Sequence, residues 1–282
     1  EKMRPFKYGG GMNDTYTIKE YSLKQVPYKF DAGTVNISGI LSLRAAIIYI
    51  NSIGIENITN YISNLSNFLY ENLKNIKNLK FNSINNIAIT SNDKKINTKI
   101  NMDGTLISEP TSMLVYVNQQ IDDLSENTSI YLKDDSTLYI KEGDSSKWIK
   151  ENISDENKES IKSLKNLGFT DKNLQLYRDI SDKFKVEEQG DNYTLTYSGN
   201  DEKVIEFFKK QSTTPDKLDN FSYKNITIKL IIKKSNYEPV EIHTTIENQD
   251  KTDTSNTVVT EMKVTFSEIN KSKITPPSDI EH

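Results

Sequence analysis

The 282-residue chain is long enough to bury a sizeable core, as one large domain or as two small ones. Its net charge of −4 and its pI near 5.5 do not favour nucleic-acid binding, which requires a clustered basic surface. The sequence contains no cysteine, which excludes disulfides, thiolate metal sites and a cysteine nucleophile, and it contains no apolar run of the roughly 18 residues that a membrane span needs.

Residues 1–80 have apolar side chains at mostly helical spacing. A glycine turn at Gly9 to Gly11 and a short strand around Tyr16 to Ile18 are predicted first. A buried helix is predicted from Ser38 to Tyr49, with its end near Gly54, and a second helix from about Ile55 to Asn78. Apolar residues recur every three or four positions along the second helix, at Ile58, Ile62, Leu65, Leu69, Leu73 and Ile76. The charge balance turns from positive to negative near residue 85, which also indicates a domain boundary.

From about Ile84 to Ile140 the apolar spacing changes to a period of two. Alternation of this kind places successive side chains on opposite faces of a sheet. The alternating runs are Ile96 to Met102, Met113 to Val117, Ile130 to Leu132 and Leu138 to Ile140. Turn signals, including Met102-Asp103-Gly104 and Glu142-Gly143-Asp144, separate the runs and predict short antiparallel connections. We therefore predict an antiparallel meander whose apolar face other elements must cover.

The rest of the chain alternates helical and extended patterns. In order, the predicted elements are a strand at Lys147 to Lys150 containing Trp148, a helix from Asp155 to Leu167, a helix opened by Thr170-Asp171, a strand from Asp191 to Ser198, a short helix capped by Asn200 or Asp201, and strands at Ile226 to Ile232, Val240 to Ile246 and Met262 to Phe266. Helices segregated from a large antiparallel sheet define an α+β domain. Pro276-Pro277 predicts that residues 276–282 form a disordered tail.

The first 80 residues carry a resemblance to a known enzyme family. The Gly-Gly-Gly-Met turn at residues 9–12, the run from Pro27 to Thr34, and a helix closed by Asn51 to Ile58 resemble the C-terminal part of a class V aminotransferase of the cysteine desulfurase type. The resemblance implies that Gly33 and Thr34 are a vestige of the loop that approaches the pyridoxal phosphate group. The family's Schiff-base lysine precedes this stretch and its sulfur-accepting cysteine follows it, and both are missing here. We therefore expect no catalytic residue and no bound cofactor.

The following 200 or so residues, about 57–275, carry a second resemblance. Lys99 to Gly104, the Tyr131 and Tyr139 hairpin with Lys147-Trp148-Ile149, and Tyr237 to Val240 are similar to an uncharacterised family of small secreted Gram-positive lipoproteins with a half-barrel fold. The expected architecture is an α+β half-barrel, a curved antiparallel sheet with packed helices. We expect residues 1–80 to form a mostly helical desulfurase-like segment, residues 81–275 the half-barrel domain, and the whole to be a chimera of the two.

Few residues are candidates for chemistry. His243 has no histidine partner except His282, and a structural role at the sheet surface is favoured over a metal ligand or a general base. The acidic pairs Asp122-Asp123, Asp134-Asp135 and Glu187-Glu188 lack the spacing of a calcium loop. We therefore predict no metal site.

A set of aromatic residues on the predicted strands provides candidate ligand contacts. These residues are Tyr116, Tyr131, Tyr139, Trp148, Tyr193 and Tyr197. They are interpreted either as the second face of a sheet packed against helices, or as the wall of an apolar cavity in which tyrosine hydroxyls orient a polar head.

The lipoprotein resemblance implies a non-enzymatic binding protein that holds or transfers a hydrophobic, lipid-like ligand at the cell envelope. An extracytoplasmic location follows from the lipoprotein resemblance, with peripheral membrane association through a lipid anchor that is not among these residues. Two alternatives stay open. One is an inactive fragment or degenerate relative of a cysteine desulfurase, for which a cytoplasmic location is expected. The other is a module that binds a partner protein through an exposed sheet edge.

Overall fold

The computed structural model describes residues 4–5, 7, 9–33, 36–92, 94–134, 136–143, 145, 147–153, 161, 171–212 and 218–280. The chain divides into two compact units, Glu1–Leu65 and Ser66–His282. This division falls earlier than the boundary predicted at residue 80, because the residues that lead into the sheet pack with the sheet and not with the N-terminal segment.

The first unit contains a small hairpin and a long apolar helix. Strands β1 (Asn13–Tyr16) and β2 (Tyr21–Leu23) pair in antiparallel fashion, and helix α1 spans Ile37–Ile53. The Asn36 side chain caps α1 by accepting a hydrogen bond from the Gly39 N–H at 2.9 Å, and the helix ends at Gly54, where φ is +86°.

The prediction that α1 is buried is wrong. None of its residues is buried, and Leu43 and Ile48 are 61% and 56% exposed. Its apolar side chains surround the helix instead of forming one stripe, so a single packing partner could not cover them. No described helix is by itself long and apolar enough to cross a membrane. Helix α1 and the segment Ile55–Tyr61, whose axes are bent by 63° at the break between them, together have the length and composition of a membrane span.

The second unit is built on one large sheet. In its described residues, eleven strands form an antiparallel sheet in the order β8-β7-β6-β5-β4-β3-β13-β12-β11-β10-β9. The strands are β3 (Asn78–Ser91), β4 (Lys94–Ile107), β5 (Ser112–Ile121), β6 (Leu124–Leu132), β7 (Thr137–Glu142), β8 (Ile149–Asn152), β9 (Lys185–Gln189), β10 (Asn192–Gly199), β11 (Phe221–Lys233), β12 (Pro239–Asp250) and β13 (Thr257–Ser267). The sheet is open, with β8 and β9 at its edges, so the predicted α+β fold with a curved, half-barrel sheet is confirmed.

One predicted turn is instead part of a strand. Asp103-Gly104 lies within β4, which runs without a break and pairs with β3 and β5 along its length. Gly104 is opposite Phe81 of β3, and the missing side chain leaves room for the Phe81 ring. The glycine therefore serves packing within the sheet and does not end a strand.

Three helices cover one side of this sheet, which we call the inner face. They are the part of α2 (Ile55–Lys74) from Ser66 onward, α3 (Asp171–Asp179) and α4 (Glu202–Gln211). Leu73 and Leu174 pack with Leu79, Met113 and Leu132 in one cluster. Val204 and Phe207 of α4 pack with Ile226 and Ile228 of β11 in a second cluster. The helix predicted from Asp155 to Leu167 lies outside the described residues, except for Ile161, which is buried in the first cluster.

The chain after β13 runs past the sheet and is held by specific contacts. Ile269 is buried, and Asp279 accepts hydrogen bonds from the Trp148 indole N–H at 2.8 Å and from the Lys141 ammonium at 2.9 Å. The sequence predicts a disordered tail over residues 276–282. The structure, which describes this segment up to Ile280, instead shows these specific contacts. Trp148, predicted in a strand or at the end of one, lies immediately before the first residue of β8.

Candidate functional site

A cavity of about 120 Å³ lies between the inner face and two of its covering helices. Strands β10, β11 and β12 contribute its floor, and α2, α3 and the segment after α3 contribute its roof. The lining is predominantly aliphatic: Leu69, Leu73, Leu174, Leu195, Leu230, Ile232 and Ile242, with Phe184 beside them.

Strand register explains why the floor is apolar. Leu195 pairs directly with Leu230, and Leu230 pairs with Ile242, so the three side chains form one row across three neighbouring strands. Ile232 is two residues beyond Leu230 and therefore lies on the same face. Because the row is perpendicular to the strands, it spans residues that are far apart in sequence.

The roof follows from helical spacing. Leu69 and Leu73 are four residues apart on α2, and Leu174, Tyr177 and Arg178 lie within one turn of α3. Leu73 and Leu174 are almost completely buried, whereas Arg178 and the following Ser181 are exposed to solvent. The cavity therefore has a buried aliphatic end and a polar mouth.

Tyr177 is the polar group with the most perturbed acidity in this lining. Its ring meets Phe207 of α4 edge to face, with 4.9 Å between the ring centroids. Burial raises the pKa of the Tyr177 hydroxyl to about 12, because the phenolate would lose its hydration. The hydroxyl is therefore a neutral hydrogen-bonding group at physiological pH.

The structure does not bring the six predicted aromatic residues together. Tyr193 and Tyr197 lie on the inner face, on β10, but neither lines the cavity. Tyr193 stacks on Tyr237 with 6.3 Å between ring centroids. The Tyr197 hydroxyl accepts a hydrogen bond from the Asp201 N–H at 2.8 Å, so it supports the start of α4.

The other four aromatic residues lie away from the cavity. Tyr116 is 53% exposed, and it points to the outer face because its neighbour Val115 is buried in the core. Tyr131 and Tyr139 pair across β6 and β7 on that outer face, where they are buried and stacked with 5.9 Å between centroids. Trp148 holds Asp279, as described above. These four side chains therefore do not form one pocket.

The residues that line the cavity were missed as a site by sequence reasoning. Leu195, Leu230 and Ile242 fall in predicted strands, and Leu174 and Tyr177 fall in the predicted helix that begins at Thr170-Asp171, but nothing local indicates that the two sets face each other. The sequence signal available was the apolar alternation of the strands together with the helical spacing of Leu174 and Tyr177.

The predicted cofactor vestige and the candidate metal ligand lie elsewhere. Gly33 belongs to the first unit, where its N–H donates to the Gly10 carbonyl at 2.8 Å, and Thr34 lies outside the described residues. His243 contacts the Glu261 carboxylate at 2.9 Å, and this hydrogen bond lowers the pKa of Glu261. Within the described part of the chain, no three His, Cys, Asp or Glu residues are grouped as a metal site would require.

A second, larger depression of about 480 Å³ lies beside α3 and α4. Charged side chains dominate its lining, including Asp179, Glu202, Lys203, Glu206 and Lys210. Water hydrates such a surface well, so an apolar ligand would gain little by binding there.

Two family models match the chain. The model of a family of unknown function, DUF6612, matches residues 63–282, and that of the class V aminotransferases matches residues 1–102. The first match begins close to the division between the two units. The second includes residues 1–80, which carry the desulfurase resemblance, and extends beyond them to residue 102, so it overlaps the first match over residues 63–102.

The curated relatives match only the N-terminal part. A probable cysteine desulfurase of Chlamydia trachomatis is 40% identical over 73 residues, which is 26% of this chain and 18% of the relative. A probable cysteine desulfurase of Synechocystis is 37% identical over 73 residues, and a cysteine desulfurase of Escherichia coli is 35% identical over 74. The chain thus spans less than a fifth of the length of these enzymes.

The similar solved structures are distant. A LolA superfamily protein from Nitrosomonas europaea aligns over 77% of this chain and 97% of its own, with 10% identity and a TM-score of 0.27. A DUF1329 family protein from Desulfovibrio piger aligns over 73% of this chain and 95% of its own, with 8% identity and a TM-score of 0.27.

Proposed function

The chain belongs to the family of unknown function DUF6612, whose model covers almost all of the second unit, and we propose that this unit is a non-enzymatic carrier of a hydrophobic ligand. The observation that carries the proposal is the cavity between the inner face and its helices. An interior normally packs without voids larger than a water molecule, so an aliphatic cavity with an opening is a feature that a ligand would fill.

The cavity volume limits what can bind without rearrangement. At about 120 Å³ it is somewhat smaller than an engineered protein cavity of about 150 Å³ that accepts benzene. It therefore accommodates a short alkyl segment or a single ring. Each methylene buried there contributes about 0.8 kcal/mol.

The proposed location is the cell envelope. It is supported by the resemblance of residues 57–275 to small secreted lipoproteins and by the suitability of an apolar cavity for lipid. A carrier in this location would hold acyl chains away from water while they pass between membranes or proteins.

The desulfurase alternative has one observation in its favour, the 40% identity over 73 residues. The one observation that bears on pyridoxal phosphate in the described residues of the first unit is unfavourable, since the Gly33 N–H already donates to the Gly10 carbonyl. We therefore propose no reaction for this segment. Absorbance near 420 nm after addition of pyridoxal phosphate would favour the alternative.

The sheet-edge alternative is disfavoured by the edges themselves. Strand β8 has only four residues. Strand β9 has five residues, which are all exposed and mostly charged or polar. Short, charged edges discourage the addition of another strand.

The test of the carrier proposal compares two leucine substitutions. Leu230 lines the cavity, whereas Leu124 is 78% exposed at the start of β6. We expect L230W to fill the cavity and reduce binding of benzene, a neutral single ring, at least tenfold in ligand-observed NMR, and L124W to bind it like the unsubstituted chain. Native mass spectrometry of the purified protein would show a releasable apolar adduct. Failure of the unsubstituted chain to bind, or equal binding by L230W, would refute the carrier proposal.

A further inference from the structure

We propose that the ligand is an anionic amphiphile, whose carboxylate or phosphate pairs with Arg178 at the cavity mouth while its alkyl end enters the cavity. This inference rests on the proposed carrier function and names its ligand class. The shared chemistry is an oxyanion joined to an alkyl chain, and two ligand series distinguish carboxylate from phosphate below.

The first support is the gradient of polarity along the cavity. The deep lining residues Leu174, Ile232 and Ile242 are 5%, 2% and 9% exposed. Arg178 and Ser181 line the same cavity but are exposed, so they lie where it opens to solvent. A ligand that is apolar throughout would leave this polar mouth unused, whereas an amphiphile matches both ends.

The second support is that the Arg178 guanidinium is available. Among the ion pairs of the described residues, none involves Arg178, although Lys183 nearby pairs with Asp201 at 2.7 Å. The adjacent Asp179 carboxylate accepts a hydrogen bond from the Gln175 amide at 3.0 Å. The Ser181 hydroxyl donates to the Arg178 carbonyl at 2.8 Å, which fixes the backbone turn at the mouth and leaves the guanidinium unconstrained by that contact.

The third support is the choice of residue. Arg178 is the single arginine in the sequence of the second unit, Ser66–His282, where the other basic side chains are lysines and His243 and His282 are the histidines. A guanidinium presents a planar fork of donors that matches a carboxylate or phosphate in two parallel hydrogen bonds, which an ammonium cannot do. Tyr177 lines the same cavity, and its hydroxyl stays protonated, so it adds no negative charge that would repel an anion.

The experiment uses isothermal titration calorimetry to measure the binding of matched twelve-carbon ligands to the full chain, below their critical micelle concentrations. The ligands are dodecanoate, dodecyl phosphate, dodecanol and dodecyltrimethylammonium. The proteins are the unsubstituted chain, R178Q, R178K and K99Q, the last removing one exposed positive charge away from the cavity. Circular dichroism checks that each variant is folded.

We expect the unsubstituted chain to bind an anionic ligand about tenfold to a hundredfold more tightly than dodecanol, as charge-assisted hydrogen bonds provide. In R178Q the affinity for the anionic ligand should fall to the affinity for dodecanol. R178K should lose part of the preference for the anionic ligand over dodecanol, and K99Q should keep that preference. The tighter of dodecanoate and dodecyl phosphate identifies the headgroup. Equal affinity for all four ligands, or a preference that survives in R178Q, would overturn this inference and leave the carrier function standing. Absence of binding by every ligand would overturn both.

Discussion

Replacement of Gly104 tests whether the core is packed as tightly as the structure indicates. A Cβ atom at residue 104 would lie 2.6 Å from Cζ and 2.7 Å from Cε1 of Phe81, and 3.0 Å from Cγ2 of Val115. Phe81 and Val115 are 3% and 0% exposed, so neither side chain can move into solvent. We expect Gly104→Ala to lower the free energy of unfolding by about 1–3 kcal/mol, the usual cost of overpacking.

A double-mutant cycle identifies the cause. Phe81→Ala alone should cost about 3–5 kcal/mol, because it leaves a cavity where the ring was. In the double variant the added methyl group of residue 104 enters that cavity, so the combined loss should fall short of the sum by about 1 kcal/mol or more. Urea unfolding followed by far-UV circular dichroism gives each value.

Gly10 supplies the matched control for this cycle. A Cβ atom at Gly10 would meet no atom within 4 Å, so Gly10→Ala should leave stability nearly unchanged. The reasoning would be refuted if Gly104→Ala cost less than about 0.5 kcal/mol, or if its effect simply added to that of Phe81→Ala.

Three further outcomes follow from polar contacts. Asp201→Ala should lower the melting temperature more than Asp201→Asn, because asparagine keeps the cap of α4 and loses only the Lys183 ion pair; equal losses would show that the cap contributes nothing. Asp279→Ala should make the fluorescence of Trp148, the single tryptophan, easier to quench with acrylamide, and unchanged quenching would contradict an anchored tail. Stability should fall as the pH rises above about 10, because the unfolded chain releases the Tyr177 proton there whereas the folded protein holds it to about pH 12; Tyr177→Phe should make the fall shallower, and an identical slope in that variant would contradict the assignment.

The sheet could be predicted from sequence because its signal is local. In β11, Ile226, Ile228, Leu230 and Ile232 alternate with polar or outward-facing residues, and the hairpin turns at Asn92 and Gly143 have the expected residue types and positive φ angles. The turn prediction at Gly104 is wrong because the sequence alone does not distinguish a glycine inside a strand from a glycine in a turn. Only the pairing with Phe81 distinguishes them.

The cavity could not be predicted because it depends on which face of the sheet the helices cover. In β6 and β7 both faces are apolar and buried, with Leu132 and Leu138 inside and Tyr131 and Tyr139 outside. Alternation alone therefore cannot identify the inner face. For the same reason, the aromatic residues on the strands did not locate the cavity. Helix α1 illustrates the same limit, since its apolar composition indicates burial and yet none of its residues is buried.

The pairing of β13 with β3 has a consequence for how the protein is made. Strand β3 is the first strand of the sheet in the sequence, but one of its two edges pairs only with the last strand, β13. In this pairing Lys80 lies opposite Ser267 and Thr90 lies opposite Thr257. During synthesis that edge has no partner until nearly the whole second unit has left the ribosome. Contacts this distant in sequence slow folding, and a bare strand edge attracts other chains. The nascent protein must therefore be kept apart from its neighbours until its C-terminal region arrives, and a chain that stops before β13 would leave two half-sheets, each with an open edge.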